Sequence, residues 1–324
     1  MEAAEGKGTE VSALVQVVEQ VQDRIQHVIV GQHNMIELLL AGLLADGHIL
    51  IEGVPGVAKT LTAKLLARLI HAKFSRLQFT PDLMPSDVLG TNIFSPQTAS
   101  FQFKPGPIFA NMVLIDEINR APAKTQAALF EVMEERQVTV DGVTHKMQYP
   151  FMVIATQNPI EHEGTYRLPE AQLDRFLMKI TVGYPTLEEE VRILSMHNES
   201  AIADILAEVH AIVTPEVLAH AREEVSRIHI EPKLLEFIAK IVWETRNDKS
   251  LYIGASPRAS IALLRVSKAL SVLRGRNFII PEDVIYAAPA VLRHRISLTP
   301  EREMEGVTTD DVLKEIIGRI EIPR

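Results

Sequence analysis

Eight residues set between two apolar segments constrain this chain more than any other feature. Gly53-Val54-Pro55-Gly56-Val57-Ala58-Lys59-Thr60 follows the short run His48-Ile49-Leu50-Ile51-Glu52 and precedes a helical repeat through Leu61, Leu65, Leu66 and Leu69. The run has the length of a buried strand, and the repeat has the period of a helix with one apolar face. A strand, a glycine turn and a helix bring several backbone N–H groups together at a helix N-terminus, where small residues leave room for a polyphosphate. In that reading Lys59 reaches the β- and γ-phosphates and the Thr60 hydroxyl binds Mg²⁺. The generic pattern has Gly where this chain has Ala58.

Two further apolar runs end in polar residues. Met112-Val113-Leu114-Ile115 ends at Asp116-Glu117, and helix Lys124–Glu135 follows it; Phe151-Met152-Val153-Ile154-Ala155-Thr156 ends at Gln157-Asn158-Pro159. Short strands alternating with helices indicate an α/β fold with a parallel sheet, whose ligands bind at the carboxyl ends of the strands. Downstream of a phosphate loop, Asp116 would hold Mg²⁺ and Glu117 would polarise an attacking water; as a bare pair they would be helix-capping acids. Asn158 is either a turn residue or an amide orienting that water. Arg175 and Arg258 each read as a surface ion pair or as an arginine stabilising charge on a transferring phosphoryl group, with Arg120 a weaker third candidate.

Other chemistries lack support. The chain has no cysteine, which excludes disulfides, thiolate metal sites and cysteine nucleophiles. No HExxH, GxGxxG or GxSxG occurs, and His162, between Glu161 and Glu163, reads as a loop residue. The net charge of −9 weakens any general nucleic-acid affinity. The densest basic stretch, Arg265, Lys268, Arg274 and Arg276 followed by Arg293, His294 and Arg295, reads as solvated helix faces. No apolar leader precedes residue 11 and no uncharged stretch reaches the 18 residues of a membrane helix, so a cytoplasmic protein without membrane insertion is expected.

The 324 residues suggest about two domains. Residues 1–11 read as a disordered tail, 12–185 as the nucleotide-binding domain and 186–324 as a helical lid. Two hairpins interrupt the first domain: Thr91–Phe94 with Phe101–Phe103, and Gln137–Val140 with Val143–Met147 around the turn signal Asp141-Gly142. Their polar tips are expected to face a pore or client.

With these residues in view, the chain resembles AAA+ ATPases and, within them, the MoxR family. The resemblance rests on GVPGVAKT, LIDEINRAPAKTQAALFEVMEERQVTVDG, ATQNPIEHEGTYRLPEAQLDRF, GASPRAS and the late LRHRI, and runs from about Ile29 to the C-terminus. Arg167 departs from it, where the family more often has Pro. The resemblance implies a P-loop αβα domain with a parallel sheet, an all-helical lid, and ATP with Mg²⁺ bound between subunits of a homo-oligomeric, hexameric ring. It implies that Gly53–Leu61 (Gly53, Val54, Pro55, Gly56, Val57, Ala58, Lys59, Thr60, Leu61) bind nucleotide, with Val28, Ile29, Val30, Gly31 and Gln32 lining adenine. Asp116 and Glu117 match Walker B, Asn158 sensor 1, Arg175 the arginine finger that reaches the adjacent subunit's ATP, and Arg258 sensor 2. It further implies remodelling of a protein client, often with a partner carrying a von Willebrand factor A domain. A nucleic-acid motor or loader of the same superfamily is the leading alternative, and a nucleotide-gated scaffold a third.

Overall fold

The computed structural model describes residues 2–158, 166, 168–199, 206 and 209–323. From the N-terminus, α1 (Glu2–Val28) and α2 (His33–Leu44) precede β1 (Ile49–Gly53), and α3 (Lys59–Leu69) follows it. Next come β2 (Phe74–Gln78), α4 (Pro85–Leu89), the hairpin strands β3 (Gly90–Ser95) and β4 (Ser100–Pro105), and β5 (Met112–Asp116). A 3₁₀ turn, Ile118–Arg120, leads to α5 (Ala123–Glu135), the hairpin strands β6 (Gln137–Val140) and β7 (Val143–Lys146), β8 (Met152–Gln157), α6 (Glu170–Leu173) and β9 (Met178–Val182). One sheet of five parallel strands runs in the order β2-β5-β8-β1-β9.

The central strands β5, β8 and β1 are the three apolar runs seen in the sequence, because strands covered on both faces carry near-continuous hydrophobic residues. The edge strands β2 and β9 were not apparent there. Phe-Ser-Arg-Leu-Gln and Met-Lys-Ile-Thr-Val mix long polar side chains with apolar ones, as half-covered edges do. Both expected hairpins form. Asp141 and Gly142 take φ of 49° and 80°, the left-handed pair a two-residue I′ turn needs. Ile93, Phe94 and Phe101 of the first hairpin are exposed.

Beyond β9 the chain is helical: α7 (Leu187–Glu199), α8 (Pro215–Ser226), α9 (Pro232–Glu244), α10 (Pro257–Leu273), α11 (Pro281–Leu292), α12 (Pro300–Met304) and α13 (Thr309–Arg319). Each of α8 to α12 begins at proline, whose missing N–H costs nothing in the first turn. The helices are interrupted by a short antiparallel pair, β10 (Leu251–Ile253) with β11 (Ser297–Leu298). α10 packs on α2, so Leu263 and Val266 share one core with Leu39 and Ile36. Among the described residues no helix is long and apolar enough to cross a membrane. His162 and Arg167 lie outside the described residues.

Two expectations need correction. The helix α1 begins at Glu2, where a tail over residues 1–11 was expected; the stretch contains no proline and several good helix formers. The basic stretch is not a set of solvated faces. The Arg295 side chain is 4% exposed and binds the Asp174 carboxylate at 2.7 Å and the Leu177 carbonyl at 3.0 Å. His294 is buried against the Phe176 carbonyl, and Arg293 binds Asp310 and the Thr181 hydroxyl. Arg265 donates to the Ala45 and Asp46 carbonyls, while Arg274 and Arg276 converge on the fully buried Asp283. Arg265 and Arg274 tie the lid to α2, and Arg293 and Arg295 tie it to β9 and the segment before it, a role that helical periodicity alone does not reveal.

A second buried imidazole, His48, sits just before β1. Its Nδ1 accepts from the Val153 N–H at 2.9 Å, which leaves Nε2 to donate to the Met133 carbonyl at 3.0 Å. The ring is therefore neutral, and burial lowers its pKa from 6.5 to about 4. The unfolded chain takes up this proton below about pH 6.5, whereas the folded chain resists it until about pH 4. Stability is full above the unfolded value and falls as pH drops through this window, by about 2 kcal/mol at pH 5 from His48 alone. Urea unfolding at pH 7, 6 and 5 should show this loss, and His48→Gln, which keeps a donor and an acceptor, should give a shallower slope. Equal stability at the three values would refute the assignment.

Candidate functional site

The carboxyl ends of β1, β5 and β8 bring most of the expected residues together. Gly53 ends β1 where β9 passes so near that a Cβ would lie 2.6 Å from the Val182 carbonyl oxygen. Gly56 has φ of 88°, open to glycine at no steric cost. Ala58, in place of the generic glycine, also takes a left-handed conformation at φ 58° and forms the N-cap of α3. That costs about 1 kcal/mol for a residue with a Cβ, offset in part by its methyl packing against the core. The turn leaves the first amides of α3 facing outward at the positive end of the helix dipole.

Lys59 Nζ donates to the Gly53 carbonyl at 2.6 Å across the loop. Burial lowers its pKa, and the nearby charges of Asp116 and Glu117 oppose that shift. The Lys59 ammonium and the two carboxylates thus face one space. Asp116, buried at the end of β5, accepts from Arg76 Nε at 2.7 Å and from the Thr156 hydroxyl at 3.2 Å. Glu117 takes φ of 57°, and its N–H is held by the Thr156 oxygen at 3.1 Å. Its Oε2 accepts from Gln78 Nε2 and pairs with Arg120 Nε, each at 2.8 Å. Asn158 follows β8 directly on the same edge of the sheet.

Among the described residues no three His, Asp or Glu side chains group into a metal cage. Thr60 and Asp116 supply two hard oxygen donors at the phosphate loop, a set that suits Mg²⁺ only with nucleotide phosphates and water completing its shell.

Beside the loop lies a cavity of about 260 Å³ lined by Val28, Ile29, Val30, Gly56, Ala58 and Leu61 on one side, and by Ile193, Met196 and His197 of α7 on the other. Its mostly apolar walls suit a flat heterocycle. Gly31 and Gln32 turn the chain between α1 and α2 with φ of 69° and 55°, and Gln32 donates to the Gly183 carbonyl.

Arg175 and Arg258 are elsewhere. Arg175 lies between α6 and β9, and Arg258 is the second residue of α10; both line a cavity of about 320 Å³ at the amino end of β1, with His48 and Asp46. β1 separates this cavity from the phosphate loop by about 16 Å. Arg175 Nη1 binds Glu134 Oε2 at 3.3 Å and the Phe130 carbonyl at 3.1 Å; Arg258 Nη2 binds Glu134 Oε1 at 3.3 Å. Arg136, Arg265 and Arg295 also line the space, so five arginines face three carboxylates, Asp46, Glu134 and Asp174. Arg120, by contrast, stays at the carboxyl end beside Glu117.

Sequence reasoning missed Arg76, Gln78, Thr156, Glu134 and the α7 contribution. Arg76 and Gln78 alternate along β2 and so share a face, a signal that becomes usable only once β2 is recognised as a strand. Ile193, Met196 and His197 follow the i, i+3, i+4 spacing of one helix face.

The chain is similar to known proteins over its whole length. Residues 48–178 match the ATPase family associated with various cellular activities (AAA), and residues 243–316 an AAA lid domain. The uncharacterized protein YeaC of Bacillus subtilis is 46% identical over 93% of each chain. The chaperone MoxR1 of Mycobacterium tuberculosis is 42% identical over 100% of this chain and 87% of its own. A crystal structure of a candidate ATPase from Cytophaga hutchinsonii superposes with a TM-score of 0.91 at 40% identity, covering 100% of this chain and 99% of that one.

Proposed function

Because the chain belongs to the MoxR family of AAA+ ATPases, we propose that it couples ATP hydrolysis in a hexameric ring to chaperone-like remodelling of a protein client. The observation that carries the ring is the separation of the two functional sets by the length of β1. Arg175 and Arg258 point away from the subunit's own phosphate loop, so a second copy is what can bring nucleotide to them. Five arginines against three carboxylates leave that cavity cationic, complementary to a polyphosphate.

In this reading the α3 amides and Lys59 bind the β- and γ-phosphates, and the segment Val28–Gln32 with α7 encloses the adenine. Thr60 and Asp116 would hold Mg²⁺, which when bound would offset charge on the phosphate oxygens. Asn158 orients a water in line with the γ-phosphorus. Glu117 takes the proton of that water as the new P–O bond forms and ADP leaves. Gln78 and Arg120 both hold Glu117 through Oε2, so Oε1 is the oxygen that takes the proton while those two contacts keep the carboxylate oriented. Arg175, with Arg258 beside it, stabilises the charge on the neighbour's phosphoryl group. With a nucleotide domain taken to residue 185 and a lid beyond it, α7 belongs to the lid and lines the base cavity, so lid movement opens or closes that cavity in this reading. Remodelling draws support from the chaperone name of the Mycobacterium tuberculosis relative; a von Willebrand factor A partner and a cytoplasmic location rest on the family resemblance.

Two variants separate binding from turnover. Glu117→Gln should keep ATP affinity and lose most phosphate release, because the amide retains shape but not basicity; Lys59→Ala should lose ATP binding itself. Calorimetric titration with ATP beside a steady-state phosphate assay checks both, and the reverse pattern would overturn the assignment.

The ring is tested by mixing. Arg175→Ala should bind ATP and hydrolyse it slowly, since an arginine supplied by a neighbour contributes about 10³–10⁵ in rate. Lys59→Ala keeps its arginine but holds no nucleotide. Combined under subunit exchange, the two inactive proteins should regain part of the phosphate release at mixed interfaces. No recovery despite demonstrated exchange, or full activity of Arg175→Ala alone, would reject an arginine acting in trans.

A further inference from the structure

We propose that Glu134 is a positioning residue that holds Arg175 and Arg258 as one unit for delivery to the neighbouring subunit's nucleotide, an inference that rests on the reading of these arginines as acting in trans. The two arginines reach the same cavity from different parts of the chain, Arg175 from the segment entering β9 and Arg258 from the lid helix α10. Their like charges would drive them apart. The Glu134 carboxylate divides itself between them, Oε2 to Arg175 and Oε1 to Arg258, both at 3.3 Å. Arg175 gains a second anchor, the Phe130 carbonyl, one turn earlier on the same helix.

The platform under Glu134 is stiff. The carbonyl of the preceding residue, Met133, accepts from the buried His48 ring, which ties this end of α5 to the start of β8 through the Val153 N–H. The other end is fixed by Gln126, whose amide donates to the Ile118 and Ala121 carbonyls. A carboxylate on such a helix can set where two long side chains stand. The contacts are long and partly exposed, with the Arg258 side chain 61% exposed and that of Glu134 38%. Pairs of that kind add little to folding, so the role of Glu134 is orientation: a guanidinium displaced by an ångström loses much of its effect on the transition state.

The other acids of the cavity are already engaged. Asp174 holds Arg295 at 2.7 Å, and Asp46 holds Arg136 and Arg222 at 2.8 and 2.6 Å. Glu134 is the carboxylate shared by Arg175 and Arg258.

Glu134→Gln and Glu134→Asp test this in the full-length protein. Glu134→Gln should lower kcat for ATP by about tenfold to a hundredfold, leave KM within about twofold because its own phosphate loop is intact, and leave the thermal midpoint unchanged. Glu134→Asp, which keeps the charge but is one methylene shorter, should fall between Glu134→Gln and the parent. Mixing Glu134→Gln with Lys59→Ala under subunit exchange should restore phosphate release, since the second protein supplies correctly held arginines to the nucleotide of the first. An unchanged or raised kcat in Glu134→Gln would overturn the inference, as would a loss that mixing does not repair. If Arg175→Ala and Arg258→Ala keep full kcat, the reading of arginines in trans fails whatever Glu134 does. If both lose kcat while Glu134→Gln does not, only the role of Glu134 fails.

Discussion

Parallel pairing of β1 with β8 on one side and β9 on the other is the constraint on which the rest of the molecule depends. With every strand running the same way, the carboxyl ends gather Gly53, Asp116 and Thr156 at one edge. The amino ends gather His48 and the residues that lead into β9 at the other. Arg175 enters β9 three residues before the strand begins, and its distance from the phosphate loop is fixed by hydrogen-bonded register; no side-chain rotation can remove it. The separation of the two sets of residues is then a property of the sheet.

The lid is attached by arginines as well as by a shared apolar core. Arg295 satisfies the Asp174 carboxylate and the carbonyls of Phe176 and Leu177 together. Arg293 reaches the Lys179 carbonyl and the Thr181 hydroxyl, and Arg222 the Leu43 carbonyl. A guanidinium presents five donors in a rigid fork, which lysine cannot reproduce at a place where several fixed acceptors converge. Burial of Arg295 is tolerable because its Nε and both terminal nitrogens have named acceptors.

The continuous apolar strands, the phosphate loop and the Asp-Gly hairpin were legible in the sequence because each is a local pattern. Gly53 to Thr60 declares its geometry through residue size, and Met112 to Asp116 through an unbroken apolar run stopped by a carboxylate. The edge strands β2 and β9 were hidden by their mixed polarity. Glu134 was hidden for another reason: in Phe-Glu-Val-Met-Glu-Glu it is one acid among three on an ordinary helix. Its meaning comes from Arg175 and Arg258, 41 and 124 residues away along the chain. Arg295 was misread as solvated because a basic cluster on a helix looks the same whether its acceptors are water or another element's carbonyls. Long-range polar partnership is the part of this fold that periodicity does not encode.

The two hairpins are tied to one another. Asn92 of β3 donates to the Asp141 carboxylate at the other hairpin's turn, and Phe103 of β4 stacks on His145 of β7 with ring centroids 4.0 Å apart. Phe109 closes the stack edge-on against both rings. Two slender ribbons cross-braced at the turn and along the flank resist bending far better than either would singly. The β6 ribbon springs from the end of α5, where Arg136 caps the helix in a left-handed turn. The root of the β6 ribbon on α5 therefore also sets where the first hairpin's exposed aromatic edge, Phe94 against Phe101, stands.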